Sequence, residues 1–187
     1  LAIPPLSSIA NWQESALPKT LVHTHLMTEE PLKFMGSGAI EGAVATQFVE
    51  YQFPIASEEG SRIRMMWTDC PCRTTCWNGG NDTEVALRSE QVECIVAQHP
   101  WLENDCLFSD IILPANTHME VDDIVTNVRQ GGQFADVMLC DKAVEPIGES
   151  KSDYEIVYEI AKKLGYGEDV SGGMTTQDLQ KAVFGYM

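Results

Sequence analysis

Two polar clusters hold the side chains in this chain that are equipped for chemistry. One is Gln98-His99-Pro100-Trp101-Leu102-Glu103-Asn104-Asp105, directly after the apolar run Cys94-Ile95-Val96-Ala97. An imidazole ordinarily titrates near neutral pH, which makes His99 a candidate for proton transfer. No carboxylate–histidine pair is legible, so orienting a loop or donating to a ligand is the better reading. Trp101 reads as a packing anchor rather than a stacking platform. Asp105 and Asp110 read as turn caps or acceptors for ligand donors, and Glu120, Asp122 and Asp123 as a solvated acidic loop.

The other cluster is the loop from Trp67-Thr68-Asp69-Cys70 through Trp77-Asn78-Gly79-Gly80-Asn81. Its glycines allow close backbone approach, and the helix start expected after it favours an anion such as pyrophosphate. Asn and Asp side chains there can pair with a purine edge or ribose hydroxyls. Cys70, Cys72 and Cys76 are spaced C-x-C-x3-C, which is neither a zinc pattern nor a ferredoxin run. A fourth ligand would have to be Cys94, inside an expected strand, so thiols without metal are the reading. His23 and His25 would share one side of a strand, but no third ligand lies near them in sequence. Gly36-Ser37-Gly38-Ala39-Ile40-Glu41-Gly42 imitates a nucleotide-binding turn with the wrong spacing and reads as a flexible turn.

These groups need elements to position them. Ile63-Arg64-Met65-Met66-Trp67, residues 93–97 and residues 110–113 read as short buried strands. A helix capped by Asn81 or Asp82 separates the first two, and a short helix around 102–108 the last two. Alternation of this kind specifies an α/β fold, part of a Rossmann-like, doubly wound and mainly parallel sheet. Ligands in such sheets bind beyond the carboxyl ends of the strands, where both polar clusters fall. Residues 1–60 read as irregular, broken by Pro4, Pro5, Pro18, Pro31 and Pro54, with one helical prospect at 39–51. Residues 119–137 read as a surface excursion and 136–142 as an extra strand. Ser152 and Glu155 form a capping box for an amphipathic helix facing inward with Ile156, Val157, Ile160, Ala161 and Leu164, ended by Gly165. Thr175 or Thr176 caps a last helix through Leu179, Ala182 and Val183.

Composition narrows the function. Twenty-eight acidic against twelve basic residues give a formal charge of −16, the opposite of a phosphate-binding surface, and argue against nucleic acid. The 187 residues contain no apolar run near the ~20 a membrane helix needs. Six cysteines over this length do not suggest a disulfide scaffold, and the expectation is reduced thiols in the cytoplasm. A start on Leu1 and an end on Phe184-Gly185-Tyr186-Met187 read as a piece of a longer chain.

Two segments carry a family resemblance. Ser109-Asp110-Ile111-Ile112-Leu113-Pro114-Ala115-Asn116-Thr117-His118-Met119-Glu120 is similar to a signature of the molybdopterin oxidoreductases of the DMSO reductase family. Glu145-Pro146-Ile147-Gly148-Glu149-Ser150-Lys151-Ser152-Asp153-Tyr154-Glu155-Ile156 resembles a second segment of that family. Within it, residues 98–105 and the Trp67-to-Cys72 loop look most like the large subunit of the transhydroxylases that act on trihydroxybenzenes. The resemblance covers residues 60–187 well and residues 1–60 loosely.

The resemblance implies a catalytic subunit holding molybdenum between two molybdopterin guanine dinucleotides, with an iron–sulfur small subunit as partner and a small aromatic substrate. Cofactor contacts would fall on Thr68, Asp69, Cys70 and Asn78, on Gln98, His99 and Pro100, and on Asp105. The metal ligand and the catalytic acid–base groups would lie upstream, so no catalytic residue is named. Residues 61–145 would then be the Rossmann-like half-domain binding the guanine dinucleotide. Residues 1–60 would be a linker or neighbouring-domain segment, and 146–187 a helical lead to the next domain. Alternatives are another reductase or dehydrogenase of the family, a scaffold subunit without molybdenum, and a plain α/β binding module.

Overall fold

The computed structural model describes residues 17–37, 48–54, 62–126, 137–175, 177–178 and 181. The chain divides into two compact units. One comprises residues 12–97 and 103–111; the other comprises 1–11, 98–102 and 112–187.

The first unit holds α1 (Val22–Met27), a hairpin-like pair β1 (Leu32–Ser37) and β2 (Phe48–Phe53), β3 (Met65–Thr68), α2 (Arg73–Cys76) and α3 (Gly80–Leu87). β1 and β2 are antiparallel, with Leu32 opposite Phe53 and Ser37 opposite Phe48. The helix expected at 39–51 is therefore strand from Phe48 onward, and the earlier part of that stretch lies outside the described residues. Alternation in Phe48-Val49-Glu50-Tyr51-Gln52-Phe53 suits a half-exposed strand better than the helical spacing suggested. His23 and His25 stand on α1, not on a strand. Two residues apart on a helix they point in different directions, and only His25 is buried.

β3 runs parallel to β4 (Cys94–His99), with Met65 opposite Cys94 and Thr68 opposite Ala97. With β5 (Ile111–Pro114) they form a three-stranded sheet of order β3-β4-β5. The α/β architecture and its parallel sheet are thus present. A core of Leu26, Met66, Ala86, Leu87 and Ile95 packs α1 and α3 against the strands of this unit, with Val22, Ile63, Val92 and Phe108 around it. β4 is buried along Ile95-Val96-Ala97-Gln98, as a central strand should be. β5 departs from the expectation of a buried strand: Ile111 and Ile112 are 48% and 44% exposed. Among the described residues it is the outer strand in the order β3-β4-β5.

β4 changes unit within its length, Cys94–Ala97 belonging to the first and Gln98 and His99 to the second. The second unit continues through β6 (Asp123–Thr126) and β7 (Val137–Cys140), which are antiparallel, to α4 (Asp153–Lys163) and α5 (Gly167–Ser171). α4 starts as expected: Ser152 Oγ accepts from Glu155 N, and the Glu155 carboxylate accepts from Ser152 N. Its buried face is narrower than expected, since Val157 and Leu164 are exposed and Ile156 and Ala161 carry the burial. Thr175 caps the segment after α5 through Asp178 N; Leu179, Ala182 and Val183 lie outside the described residues. No helix among the described residues is long and apolar enough to cross a membrane.

Candidate functional site

In the first unit the chain leaves β3 at Thr68 and reaches α3 through a loop built on one carboxylate. Asp105, 4% exposed, accepts from Arg73 N (2.7 Å), Thr74 N (3.1 Å) and Thr74 Oγ1 (2.5 Å). These are the free donors of the first turn of α2, which has no side-chain cap of its own. Asp105 N in turn donates to Pro71 O at 3.0 Å, and Pro71 is fully buried. Asp105 therefore shapes the loop rather than waiting for a ligand. Thr68 is buried and its hydroxyl accepts from Cys70 N at 3.3 Å.

Asp69, Cys70 and Asn78 are exposed. The side chains of Asp69 and Asn78 make no hydrogen bond to another described residue; Asp69 directly follows β3 and Asn78 directly precedes the Gly79 cap of α3. α3 starts differently from the expectation of an Asn81 or Asp82 cap. The cap is Gly79 at φ 73°, a left-handed conformation that suits glycine. Gly80 is equally constrained, because a Cβ there would meet Thr74 O at 2.2 Å. Gly79 thus serves the turn and Gly80 the packing of the loop on α2, reasons not visible in the sequence.

Three thiols cluster beside this loop. Cys70 Sγ lies 3.3 Å from Cys72 Sγ. Hydrogen bonding to Cys70 and then Cys76, with burial next, pushes the Cys72 thiol up to about 12. All six cysteines are free thiols. Among the described residues, no set of three or more His, Cys, Asp or Glu side chains is arranged to hold a metal ion. His25 is 1% exposed; burial, and then the Arg62 guanidinium, hold its imidazole below the ordinary range. Its Nε2 accepts from Ile63 N at 3.3 Å.

In the second unit, Gln98 is buried within β4 rather than standing beyond it, and its Nε2 donates to Asp153 Oδ1 at 2.6 Å. That bond ties the strand end to the first turn of α4. His99 and Pro100 are half-buried. His99 Nδ1 lies 3.2 Å from Trp101 O and 3.3 Å from Trp101 N. Trp101 is 61% exposed, so it is not the packing anchor expected.

The second unit also joins the two segments that carry the family resemblance. Ala115 bridges Lys151 in parallel, Asn116 N donates to Lys151 O at 2.9 Å, and Lys151 N to Pro114 O at 3.2 Å. Glu120 completes the junction. Far from lying in a solvated loop, it is 6% exposed and accepts from Thr117 N, Thr117 Oγ1 and Ile147 N, each at 2.8 Å. The Thr117 bonds, then Ile147, hold its carboxyl below the usual carboxylate range. The spacing Thr-x-x-Glu, the same as in a capping box, was the available signal.

Residues 54–163 match the molybdopterin oxidoreductase family. That is more than half of the sequence. The chain belongs to the molybdopterin oxidoreductase family. It is 33% identical over 150 residues to the pyrogallol hydroxytransferase large subunit of Pelobacter acidigallici, a match covering 75% of this chain and 17% of that protein. It is also 33% identical over 146 residues to a trimethylamine-N-oxide reductase of Vibrio vulnificus, covering 63% of this chain and 17% of that one. Acetylene hydratase from Pelobacter acetylenicus is a solved structure with 19% identity and a TM-score of 0.44, covering 60% of this chain and 15% of its own. The chain therefore spans about a sixth of the length of these two relatives.

Proposed function

We infer that this chain is part of the catalytic subunit of a bis-molybdopterin guanine dinucleotide enzyme, and that the complete enzyme transfers hydroxyl groups between trihydroxybenzenes. The observation that carries the cofactor reading is the β3 loop. Asp105 fixes its backbone while Asp69 and Asn78 keep their side chains exposed and unpaired within the described residues. A carboxylate accepts the N–H groups of a guanine edge or a ribose hydroxyl, and an amide can both donate and accept. Thr68 and Cys70 belong to the same turn. Gln98, bonded to Asp153, orients the end of β4, and His99 and Pro100 beside it are likewise proposed as cofactor contacts.

Bound molybdenum would supply two-electron chemistry, so that a hydroxyl can move between aromatic rings without net oxidation. The residues of this chain hold and orient; none of them is assigned to the reacting atoms. Similarity to a pyrogallol hydroxytransferase large subunit supports the trihydroxybenzene substrate and the presence of a second subunit, which we propose carries the iron–sulfur clusters. The cytoplasm is the proposed compartment, and residues 61–145 the proposed dinucleotide-binding half-domain.

The test is metal, nucleotide and turnover analysis of the natural full-length protein. We expect molybdenum, guanine nucleotide released by acid, and conversion of pyrogallol to phloroglucinol. Asn78→Ala should lower nucleotide content severalfold while the far-UV spectrum stays unchanged. Full nucleotide retention in that variant defeats the site. Reduction of an N-oxide or sulfoxide in place of hydroxyl transfer defeats the substrate, and folded protein without molybdenum favours a scaffold role.

A further inference from the structure

Of the three thiols after β3 only Cys70 enters the reading above, as a proposed cofactor contact, and the arrangement of the thiols points to chemistry of its own. Cys70 Sγ and Cys72 Sγ are 3.3 Å apart, and Cys72 N donates to Cys70 O at 2.8 Å, so the backbone between them folds into a tight turn. The residue between them is fixed. Pro71 is fully buried, its φ is set by its ring, and its carbonyl accepts from Asp105 N. Asp105 then holds Arg73 and Thr74, the next two residues. The thiols are thus held side by side by a buried proline and a buried carboxylate. Cys70 is exposed and Cys72 half-buried, so reagents in solution reach the first and then the second.

We propose that Cys70 and Cys72 are a reversible dithiol–disulfide pair, oxidised by small-molecule disulfides. Cys70, as thiolate, attacks one sulfur of the reagent, forms a mixed disulfide and expels the first thiolate. Cys72 then loses its proton to solvent, attacks Cys70 Sγ and expels the second. Two cysteine S–H bonds are replaced by one S–S bond, and the reagent leaves reduced as two thiols that carry the two electrons and two protons. The hydrogen bonds that keep Cys72 protonated assign the first attack to Cys70. A bridge across a single residue closes a small ring, and strain of that kind makes the bond readily reducible. The pair is therefore reversible under mild reductant. Its closure would act on the loop that carries Asp69 and Asn78, and the oxidation is read by peptide mass, independently of cofactor content.

The test uses the natural full-length protein, treated without air with oxidised glutathione, quenched with acid and digested with trypsin. Cleavage after Arg64 and Arg73 releases peptide 65–73, which contains Cys70 and Cys72 and leaves Cys76 in the next peptide. We expect peptide 65–73 to become lighter by two hydrogens and to regain them in dithiothreitol. Cys72→Ser should stop at a glutathione adduct on Cys70, and Cys76→Ser should close as the wild type does. A lasting adduct on wild-type Cys70, a cross-link to the peptide carrying Cys76, or an unreacted peptide 65–73 overturns the proposal. The wild-type masses decide the matter even if a variant folds poorly.

Discussion

Asp105 and Glu120 are two buried carboxylates, one in each compact unit, that hold loops in the same way and for different ends. Each accepts three hydrogen bonds, two from backbone N–H groups and one from a threonine hydroxyl. Asp105 reaches from a distant turn to the start of α2, and the loop it fixes leaves Asp69, Cys70 and Asn78 exposed. Glu120 closes the turn that contains it and clamps Ile147, so the segment it fixes is joined to another segment of the chain. One carboxylate fixes a loop that leaves polar groups exposed, the surface proposed above for the cofactor; the other joins two segments of its unit. A buried carboxylate next to a strand end is thus not by itself a ligand contact. What matters is which groups remain open once its bonds are made.

The largest effect should follow the loss of Asp105. Asp105→Ala leaves two backbone N–H groups and a hydroxyl without their acceptor. Bonds to a charged group and the penalty for orphaned donors together make this worth about 3 kcal/mol. The expected outcome is a local opening of residues 68–78, read as roughly a hundredfold loss of hydrogen-exchange protection at the Arg73 and Thr74 amides. Tryptic cleavage after Arg73 should speed up in parallel. If protection at both amides is unchanged, the loop does not depend on Asp105, and the contrast with Glu120 fails.

Glu120 should give a smaller effect with a distinctive pH dependence. Glu120→Gln retains an acceptor but loses the charge, so the loss should be less than for Asp105→Ala. In the native protein the carboxyl titrates below its ordinary range because Thr117 and Ile147 donate to it. The unfolded chain binds the proton at about pH 4.3. The native state resists it, so the stabilisation is complete above that value and disappears as pH falls through the lowered native one. Thermal melts should therefore show a steeper loss below about pH 5 in the wild type than in Glu120→Gln. Parallel curves for the two proteins would remove Glu120 from the account.

The fate of these two residues shows what the sequence could disclose. The parallel strands were legible because Ile95-Val96-Ala97 is a short continuous apolar run bounded by polar residues. The Ser152–Glu155 box was legible because both partners lie within one turn. Asp105 could be recognised only as a polar residue after a strand, since its partners at Arg73 and Thr74 are set by the fold. The Gln98–Asp153 bond has the same origin. Where local pattern misled, a competing local rule had prevailed. Gly79 in a left-handed turn displaced Asn81 and Asp82 as the start of α3, and strand alternation displaced the helical reading of residues 48–51. Ile111 and Ile112 have the composition of a buried strand, but an outer place among the described strands is a property of strand order. Asp69 and Asn78 were legible as polar groups of a loop between a strand and a helix, but the sequence could not show that Asp105 holds the loop around them.

The smallest effect should come from the third carboxylate-closed turn, Ser152 with Glu155. Here both partners are local and Glu155 is exposed, so water replaces any bond that is lost. Ser152→Ala removes the acceptor for Glu155 N and should cost about 1 kcal/mol, as helix caps generally do. Protection should fall about fivefold at the first amides of α4, with no change at Arg73 or Thr74. Since Asp153 keeps its bond from Gln98 in this variant, the helix start remains tied to β4 by one anchor. If Ser152→Ala weakens its turn as much as Asp105→Ala weakens the β3 loop, then burial does not set the cost. The distinction between a carboxylate that fixes an exposed loop and one that merely closes a turn would then rest on geometry alone. If the order is Asp105, then Glu120, then Ser152, the cost follows how completely water is excluded from the orphaned donors.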